Sequence, residues 1–220
     1  MLTGSDSYVL SERGWMVRIQ PPKSKTAPSR TLLLLHGWTG DETVMWIFTR
    51  NLPEDLWIFA PRGPVRAGDG YAWLHHRWKS WPALVDFAGV SEKLLEELHY
   101  WGQSTGAPTE TFDVMGFSQG AAMSFAMAAL YPNRVRRVLA LAGFAPLDDP
   151  MPGRYTALAG KKIYMAHGSR DDIVPAQLAR DTMQNMEAAG ADVTYCESDV
   201  GHKLSSDCLR GMEAFFEKEE

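Results

Sequence analysis

The sequence predicts an α/β fold with a mainly parallel central sheet flanked by helices, and three observations support this prediction. Short, continuously apolar segments recur along the chain, as expected for parallel strands that are buried on both faces. Segments with a helical spacing of apolar residues lie between them. The chain has 220 residues, of which 45% are hydrophobic and 22% are charged. This composition suits a single domain over residues 1–220 with one sizeable core.

Predicted strands and predicted helices alternate in chain order. An early strand at 15–19 precedes a proline-containing turn or hairpin at 20–29. Six apolar strands follow at 31–35, 56–60, 112–115, 135–141, 161–166 and 192–196. Helices are predicted at 91–101, 121–131, 175–189 and 206–218. Such alternation is typical of a parallel sheet covered by helices.

Two long segments interrupt the alternation. The first is a short Trp-rich loop excursion near residues 62–82, and the second is a proline-rich stretch at 145–158. Loops of this length in a compact domain are usually functional or mobile. Both follow a predicted strand at its carboxyl end, which is the side where open α/β sheets bind ligands. We therefore expect both segments to lie near a binding site.

Composition and charge argue against several classes of function. The net charge is −5, the pI is near 5.7 and no Lys/Arg cluster is present, so we expect no nucleic-acid partner. No apolar segment approaches the roughly 20 residues of a membrane span, so no integral membrane association is expected. Residues 1–13 show no signal-peptide pattern, and Cys196 and Cys208 lack the spacing of a zinc site or a disulfide framework. We predict two reduced thiols in a cytoplasmic protein.

The strongest chemical signal is a G-x-S-x-G motif at residues 116–120, between a predicted strand and a predicted helix. A chain that turns sharply there holds Ser118 at the apex in a strained backbone conformation. Side chains two positions away on either side would collide, which explains Gly116 and Gly120. The following helix directs its N-terminal amides toward developing negative charge. We interpret Ser118 as a nucleophile rather than as a structural turn serine.

A nucleophilic serine needs a base and an orienting acid, and for this motif they follow in the order Ser, Asp or Glu, His. Of six histidines, only His202 lies both late in the chain and on a loop after a predicted strand, so it is the predicted base. Asp171 and Asp172 directly follow another predicted strand, and their spacing does not choose between them. We expect one to orient His202 and the other to cap the helix that begins near Pro175.

An oxyanion hole requires two backbone amides aimed at the developing charge. One is expected from Gln119, directly after the nucleophile. The other is expected from the loop after an early strand, and His36-Gly37-Trp38-Thr39-Gly40 follows the apolar segment 32–35. We assign the second donor to Trp38. Taken alone, His36-Gly37 would be interpreted as a tight turn.

Six segments occur in an order that resembles one known family. They are Leu35-His36-Gly37-Trp38, Ala60-Pro61-Arg62, Gly70-Tyr71-Ala72-Trp73, Gly116-Phe117-Ser118-Gln119-Gly120, His167-Gly168-x-x-Asp171-x-x-Val174-Pro175 and Gly201-His202. Together they resemble the phospholipase/carboxylesterase (acyl-protein thioesterase-like) family of the α/β-hydrolase superfamily. The resemblance extends over residues 31–216, implies an α/β-hydrolase fold and matches the family's catalytic aspartate to Asp171.

The same resemblance implies a function. It implies a serine carboxylesterase that acts on short to medium acyl esters, a small-molecule ester substrate and no cofactor. Some relatives hydrolyse thioesters or lysophospholipids instead, and these two activities are the alternatives. Relatives often pair as homodimers, so a homodimer is expected. From a different class, a hydrolase-fold binding protein without turnover is the less favoured interpretation, because every candidate catalytic residue is present.

The sequence departs from the family pattern at two positions. Ala121 stands where relatives often carry a glycine, and Trp38 stands where many carry a smaller residue. On the Gly-rich excursion, Trp73, Trp78 and Trp81 are expected to bind substrate as a wall over the acyl pocket, because large aromatic side chains on loops are costly unless they bind something.

Overall fold

A computed structural model describes residues 7–24, 29–75, 80–146 and 153–217 of the chain. The described strands are β1 (Tyr8–Glu12), β2 (Trp15–Gln20), β3 (Arg30–Leu35), β4 (Leu56–Pro61), β5 (Val65–Ala67), β6 (Gly70–Ala72), β7 (Phe112–Phe117), β8 (Val135–Leu141), β9 (Lys162–Gly168) and β10 (Asp192–Ser198). The described α-helices are α1 (Ala88–Thr105), α2 (Gln119–Leu130), α3 (Ala176–Ala188) and α4 (Ser206–Glu217). Short 3₁₀ helices cover Val44–Phe48, Leu84–Phe87 and Arg154–Leu158.

The strands form one large sheet of eight, in the order β1-β2-β4-β3-β7-β8-β9-β10, and β5 and β6 form a separate hairpin. β1 pairs antiparallel with β2, and β2 pairs antiparallel with β4. All later pairs in the sheet, from β4–β3 to β9–β10, are parallel. The prediction of a mainly parallel sheet is therefore confirmed, with an antiparallel edge at its N-terminal side.

Helices cover both faces of this sheet, as the composition of β3 requires. Leu33 and Leu35 pack in one buried cluster with residues of α1, α2 and α3. Leu32 and Leu34 pack in a second cluster, which includes Met212 of α4. Because alternate side chains of a strand point to opposite faces, a continuous leucine run needs an apolar layer on each side.

Helix α2 is the most deeply buried helix of those described, and it directly follows the predicted nucleophile. Residues 120–129 are all buried, and the helix packs against β7, β8 and α1. A helix that is apolar on every side must be enclosed in this way. Its amino end is consequently fixed at the carboxyl edge of the sheet.

Two elements of the fold were not predicted from the sequence. β1 is a partly exposed edge strand that pairs with β2 through a turn at Arg13 and Gly14, both of which have positive φ. The β5–β6 hairpin lies inside the segment expected to be an irregular loop at 62–82. Both elements escaped prediction because they lack the continuous apolar runs that identify the buried strands.

The two cysteines form a disulfide, so the prediction of two reduced thiols is wrong. Cys196 on β10 and Cys208 on α4 are bonded with their Cα atoms 5.6 Å apart and are separated by 12 positions in sequence. The spacing of the two cysteines in the sequence does not predict a disulfide. The bond forms because α4 packs back against β10 and brings the two side chains together. The bond closes the loop that carries His202.

Among the residues that the structure describes, no helix is both long and apolar enough to span a membrane.

Candidate active site

Ser118 lies at the junction of β7 and α2 in a backbone conformation that is rare for a residue with a side chain. Its φ is 54° and its ψ is −116°. A Cβ atom on Gly116 would lie 2.1 Å from the carbonyl oxygen of Gly120, and one on Gly120 would lie 2.0 Å from that of Leu35. Only glycine fits at both flanking positions, as the motif predicted. Such local strain is typical of a functional position.

The substitution of alanine for a family glycine at position 121 is accommodated by a glycine opposite it. A Cβ atom on Gly143, just after β8, would lie 2.4 Å from the Ala121 Cβ and 2.9 Å from the Ser118 carbonyl oxygen. Gly143 therefore provides the space that the Ala121 methyl group occupies. Close packing between α2 and the end of β8 is therefore retained with alanine at position 121.

The side chains of Asp171 and His202 are in direct hydrogen-bond contact. The His202 Nδ1 lies 2.6 Å from Asp171 Oδ2, and the other carboxylate oxygen accepts hydrogen bonds from the amides of Ile173 and Val174, both at 2.9 Å. Asp171 is buried, so its carboxylate is held in one orientation by three donors. The structure thus brings together the two residues that the resemblance matched.

The expected helix cap near Pro175 is wrong. Pro175 is itself the N-cap of α3, and no side chain of the described residues caps that helix. Asp172 is exposed. Asp171 instead stabilises the turn before α3 through the same Oδ1 that accepts the two amides. One aspartate therefore both orients the histidine and orders the turn.

The loop that carries Asp171 and the loop that carries His202 are joined by their backbones. The amide of Ser169 donates to the Ser198 carbonyl at 2.8 Å, and that of Arg170 donates to the Val200 carbonyl at 3.0 Å. A Cβ atom on Gly168 would lie 2.1 Å from the carbonyl oxygen of Gly201, so this close approach requires glycine. The relative position of acid and base is consequently set by main-chain contacts.

A second histidine contacts the same carboxylate, although the sequence analysis assigned it no role at the site. His167 is buried on β9, and its Nε2 lies 3.4 Å from Asp171 Oδ2 and 2.9 Å from the Val174 carbonyl oxygen. This burial fits a structural role for His167. Its imidazole contacts Asp171 Oδ2, the same oxygen that His202 Nδ1 contacts.

The loop after β3 is held against the serine turn by His36. The backbone amide of Gly63 donates to His36 Nε2 at 2.8 Å, so the proton lies on Nδ1, which donates to the Gly37 carbonyl at 2.7 Å. Burial lowers the pKa of His36, which favours this neutral form. A Cβ atom on Gly37 would lie 3.2 Å from the Ser118 Cβ. The loop that includes Trp38 therefore lies directly against the candidate nucleophile.

Of the three tryptophans expected to line the acyl pocket, Trp73 does not fit that prediction. It is 1% exposed, its indole Nε1 donates to the His36 carbonyl, and its backbone amide donates to the Gln119 side chain. Trp73 supports the two predicted oxyanion segments from within the core. Trp78 lies outside the described residues. Trp81 is 44% exposed and packs edge-on against Phe144, and its role as a wall of the acyl pocket stays a prediction.

Two cavities meet at Ser118. The first has a volume of about 570 Å³, and among its lining residues are Trp81, Phe144 and Gln119. The second has a volume of about 780 Å³, and its lining includes His202. Ser118, Trp38 and Ile173 line both. The serine, the histidine and the predicted oxyanion residues thus border one continuous opening at the carboxyl edge of the sheet.

Comparison with known proteins identifies the family. The model of the phospholipase/carboxylesterase family matches residues 16–219, which is nearly the whole chain. The chain belongs to the phospholipase/carboxylesterase family. This places the chain in a family of carboxylesterase and thioesterase hydrolases, as the six segments had indicated.

Individual members of the phospholipase/carboxylesterase family match over most of their length. An acyl-protein thioesterase 1 of Schizosaccharomyces pombe is 28% identical over 220 residues, which cover 90% of this chain and 93% of the relative. The esterase YpfH of Escherichia coli is 27% identical and covers 84% of this chain and 81% of its own. A Bacillus cereus carboxylesterase superposes with a TM-score of 0.81 at 19% identity, covering 93% and 94% of the two chains. These matches confirm the α/β-hydrolase fold.

Proposed function

We propose that this protein is a serine carboxylic-ester hydrolase in which Ser118 is the nucleophile, His202 the general base and Asp171 the orienting acid. The observation that carries the proposal is the 2.6 Å contact between His202 Nδ1 and Asp171 Oδ2 at the opening that Ser118 also borders. An aspartate that accepts from Nδ1 leaves the other ring nitrogen free to accept a proton. The strained turn of Ser118 presents its hydroxyl to the same opening.

The proposed reaction has two stages. Ser118 Oγ attacks the ester carbonyl while His202 Nε2 takes its proton, and the amides of Trp38 and Gln119 stabilise the oxyanion of the tetrahedral intermediate. His202 then returns the proton to the leaving alcohol, which departs and leaves an acyl-enzyme. Water repeats the sequence in the second stage and releases the carboxylic acid.

The first cavity is the proposed acyl site. Its lining includes Trp81, Phe144, Leu74 and Val174, which are apolar, and Gln119, which lies beside the proposed oxyanion position. Its volume of about 570 Å³ suits a short to medium acyl chain. Trp81 would act as the wall expected from the sequence.

A thioesterase activity is the second candidate, because several relatives carry the name acyl-protein thioesterase 1. Attack by Ser118 and protonation by His202 would be the same for a thioester, with a thiol as leaving group. A lysophospholipase would again differ only in the alcohol. A non-catalytic binding protein is disfavoured by the strained serine and the Asp171–His202 pair, since neither is needed for binding alone.

Two further experiments concern the location and the assembly of the protein. The cytoplasmic location predicted from the sequence is opposed by the Cys196–Cys208 disulfide, since disulfides persist mainly in oxidising compartments. Fractionation of the source cells would decide it. The expected homodimer is tested by sedimentation equilibrium of the purified chain.

The decisive experiment combines labelling and turnover. A fluorophosphonate should label the wild-type protein and not Ser118→Ala, and p-nitrophenyl esters from acetate to palmitate should be hydrolysed with an optimum at short or medium chains. Ser104→Ala is the matched control, because Ser104 is an exposed serine on α1 that lines neither cavity. Hydrolysis that survives Ser118→Ala, or a protein that neither reacts nor turns over, would refute the mechanism.

A further inference from the structure

The second cavity is not part of the proposed acyl site. Its position beside His202 indicates which part of the substrate it binds. In the proposed mechanism, His202 must reach the oxygen of the leaving alcohol to protonate it. His202 lines the second cavity and is not among the lining residues of the first, whereas Gln119 lines only the first. The acyl chain and the alcohol must therefore leave Ser118 in opposite directions.

The boundary between the two cavities is formed by two large apolar side chains. Trp38 and Ile173 line both, and Ile173 is 60% exposed. The amide of Ile173 donates to Asp171 Oδ1 at 2.9 Å, so this side chain is positioned by the same carboxylate that orients His202. The exposed Ile173 side chain therefore separates the first cavity from the second next to Ser118.

The second cavity is apolar where it meets the histidine. The Phe117 ring packs edge-on against His202 with centroids 5.0 Å apart, and on its other side it stacks with Phe48 at 6.2 Å. Leu204 and Leu209 also line the cavity. The lining also includes the polar residues Thr39, Lys203, Ser205 and Ser206. An apolar alcohol would be removed from water against Phe117 and the two leucines as it binds.

The outer wall of the second cavity includes the 3₁₀ helix Val44–Phe48, two of whose apolar side chains are exposed. Val44 and Ile47 lie three positions apart on the helix Val44–Phe48, and in a 3₁₀ helix this spacing places them on the same side. Both line the cavity, and Val44 is 43% exposed. Exposed apolar residues grouped beside a reacting centre indicate a surface that a ligand covers.

We propose that the second cavity is the alcohol subsite, and that the preferred substrates are esters of bulky apolar alcohols, such as hexyl or aryl alcohols. The inference rests on the proposed function, since it uses His202 as the proton donor to the leaving group. The cavity volume of about 780 Å³ leaves room for an alcohol of this size. Lys203 also lines the cavity, and the aromatic contact of Phe117 with His202 is what favours an apolar group next to the reacting oxygen.

The test varies one side of the ester at a time. With butyrate as the fixed acid, kcat/KM is measured for methyl, butyl and hexyl esters, and with a fixed methyl alcohol the acid is lengthened in a second series. These alkyl alcohols differ little as leaving groups, so kcat/KM reports binding of the alcohol in the acylation step. Full burial of the five added methylenes, at roughly fourfold each, would raise kcat/KM about a thousandfold. Because the cavity is open to solvent on one side, we expect a rise of at least about tenfold from methyl to hexyl butyrate.

A matched pair of variants assigns the effect to the cavity. Val44→Ser should reduce the hexyl-to-methyl ratio at least threefold, whereas Val9→Ser should leave that ratio unchanged. Val9 is a valine of similar exposure, 52%, on the distant edge strand β1. Trp81→Ala should instead flatten the acyl series. Ile47→Ser provides a second variant on the same wall, so the test does not depend on one substitution.

Transfer of the acyl group gives an independent measurement. When p-nitrophenyl butyrate is turned over with added hexan-1-ol, the alcohol should attack the acyl-enzyme and yield hexyl butyrate, with its proton passing to His202. Methanol at equal concentration should yield much less ester. This measurement does not depend on how the substrate enters.

The outcomes separate the two proposals. A flat alcohol series, or an effect of Val44→Ser on the acyl series in place of the alcohol series, would overturn the alcohol subsite while leaving the hydrolase mechanism intact. Equal transfer to methanol and hexan-1-ol would overturn it as well. Loss of all ester hydrolysis in the wild-type protein, or turnover that persists in Ser118→Ala, would refute the proposed function and the subsite together.

Discussion

Reduction of the Cys196–Cys208 disulfide should destabilise the protein measurably. The bond joins β10 to α4 across a loop of 12 positions that includes His202. In the chain-entropy treatment, closing a loop of this length removes about 9.5 cal/mol/K from the unfolded chain, which at 298 K corresponds to about 3 kcal/mol of folding free energy. For a domain of this size, that loss should lower Tm by about 6–12 °C.

The assay is urea unfolding of the oxidised and the reduced protein, followed by tryptophan fluorescence. Reduction should lower the midpoint, and the double variant Cys196→Ala/Cys208→Ala should respond to dithiothreitol with no shift at all. Ester hydrolysis is measured on the same samples. Because the loop closed by the bond carries His202, we also expect kcat/KM to fall on reduction, at a temperature well below the lowered Tm.

Two results would refute this reasoning. The first is the titration of two free thiols when the unreduced protein is unfolded in guanidinium chloride, which would mean that the bond does not form. The second is an unchanged urea midpoint after complete reduction. In that case α4 would be held against β10 by packing alone, with Met212 and Phe216 supplying the contacts.

Three further predictions concern the site and its supports. Asp171→Asn should lower kcat/KM by about 10⁴-fold, because the amide would favour the wrong tautomer of His202, and a loss below tenfold in steady-state assays would contradict the proposed role. Since burial lowers the pKa of His36, the unfolded chain binds a proton more readily, so the unfolding free energy should decrease as pH falls below about 6.5; a His36→Gln variant should lose that part of the slope in denaturation at pH 5 and 7.5. Gly143→Ala should destabilise by about 1–3 kcal/mol, and Ala121→Gly should recover part of this in a double-mutant cycle, whereas simple additivity would show that the two residues do not share their space.

The buried part of the fold could be predicted because its physical cause is visible in the sequence. A parallel strand enclosed by helices must be apolar on both faces, and β3 shows this directly through its leucine run. β1 could not be found in the same way, because this five-residue edge strand is partly exposed and has only three consecutive apolar residues, Tyr8 to Leu10. The disulfide was also missed, since its formation depends on how α4 returns to β10 and not on any local spacing.

The residues of the candidate site likewise include some that the local sequence predicts and some that it does not. Ser118 was predictable because the two glycines that flank it are required by the turn itself. The choice between Asp171 and Asp172 could not be made from spacing, since both follow the same strand. Trp73 and Trp81 show the same limit, because they lie on one segment and differ only in how the β5–β6 hairpin packs. Local rules identify a residue type and place, and tertiary packing decides which way the side chain faces.

The chemistry and the selectivity of the proposed enzyme rest on different parts of the fold. The neighbouring strands β3, β7, β9 and β10 each end at a functional loop, and the intervening β8 ends at Gly143 and Phe144, so the positions of the catalytic groups are set by the register of one hydrogen-bonded sheet. The proposed walls of the two subsites lie elsewhere, with Val44 on a 3₁₀ helix and Trp81 on the segment before α1. A substitution at either wall changes the apolar surface offered to one side of the ester without moving a strand. Substrate preference should therefore change through Val44 and Trp81 at nearly constant catalytic geometry, and substitutions at the strand ends should change turnover for all esters alike.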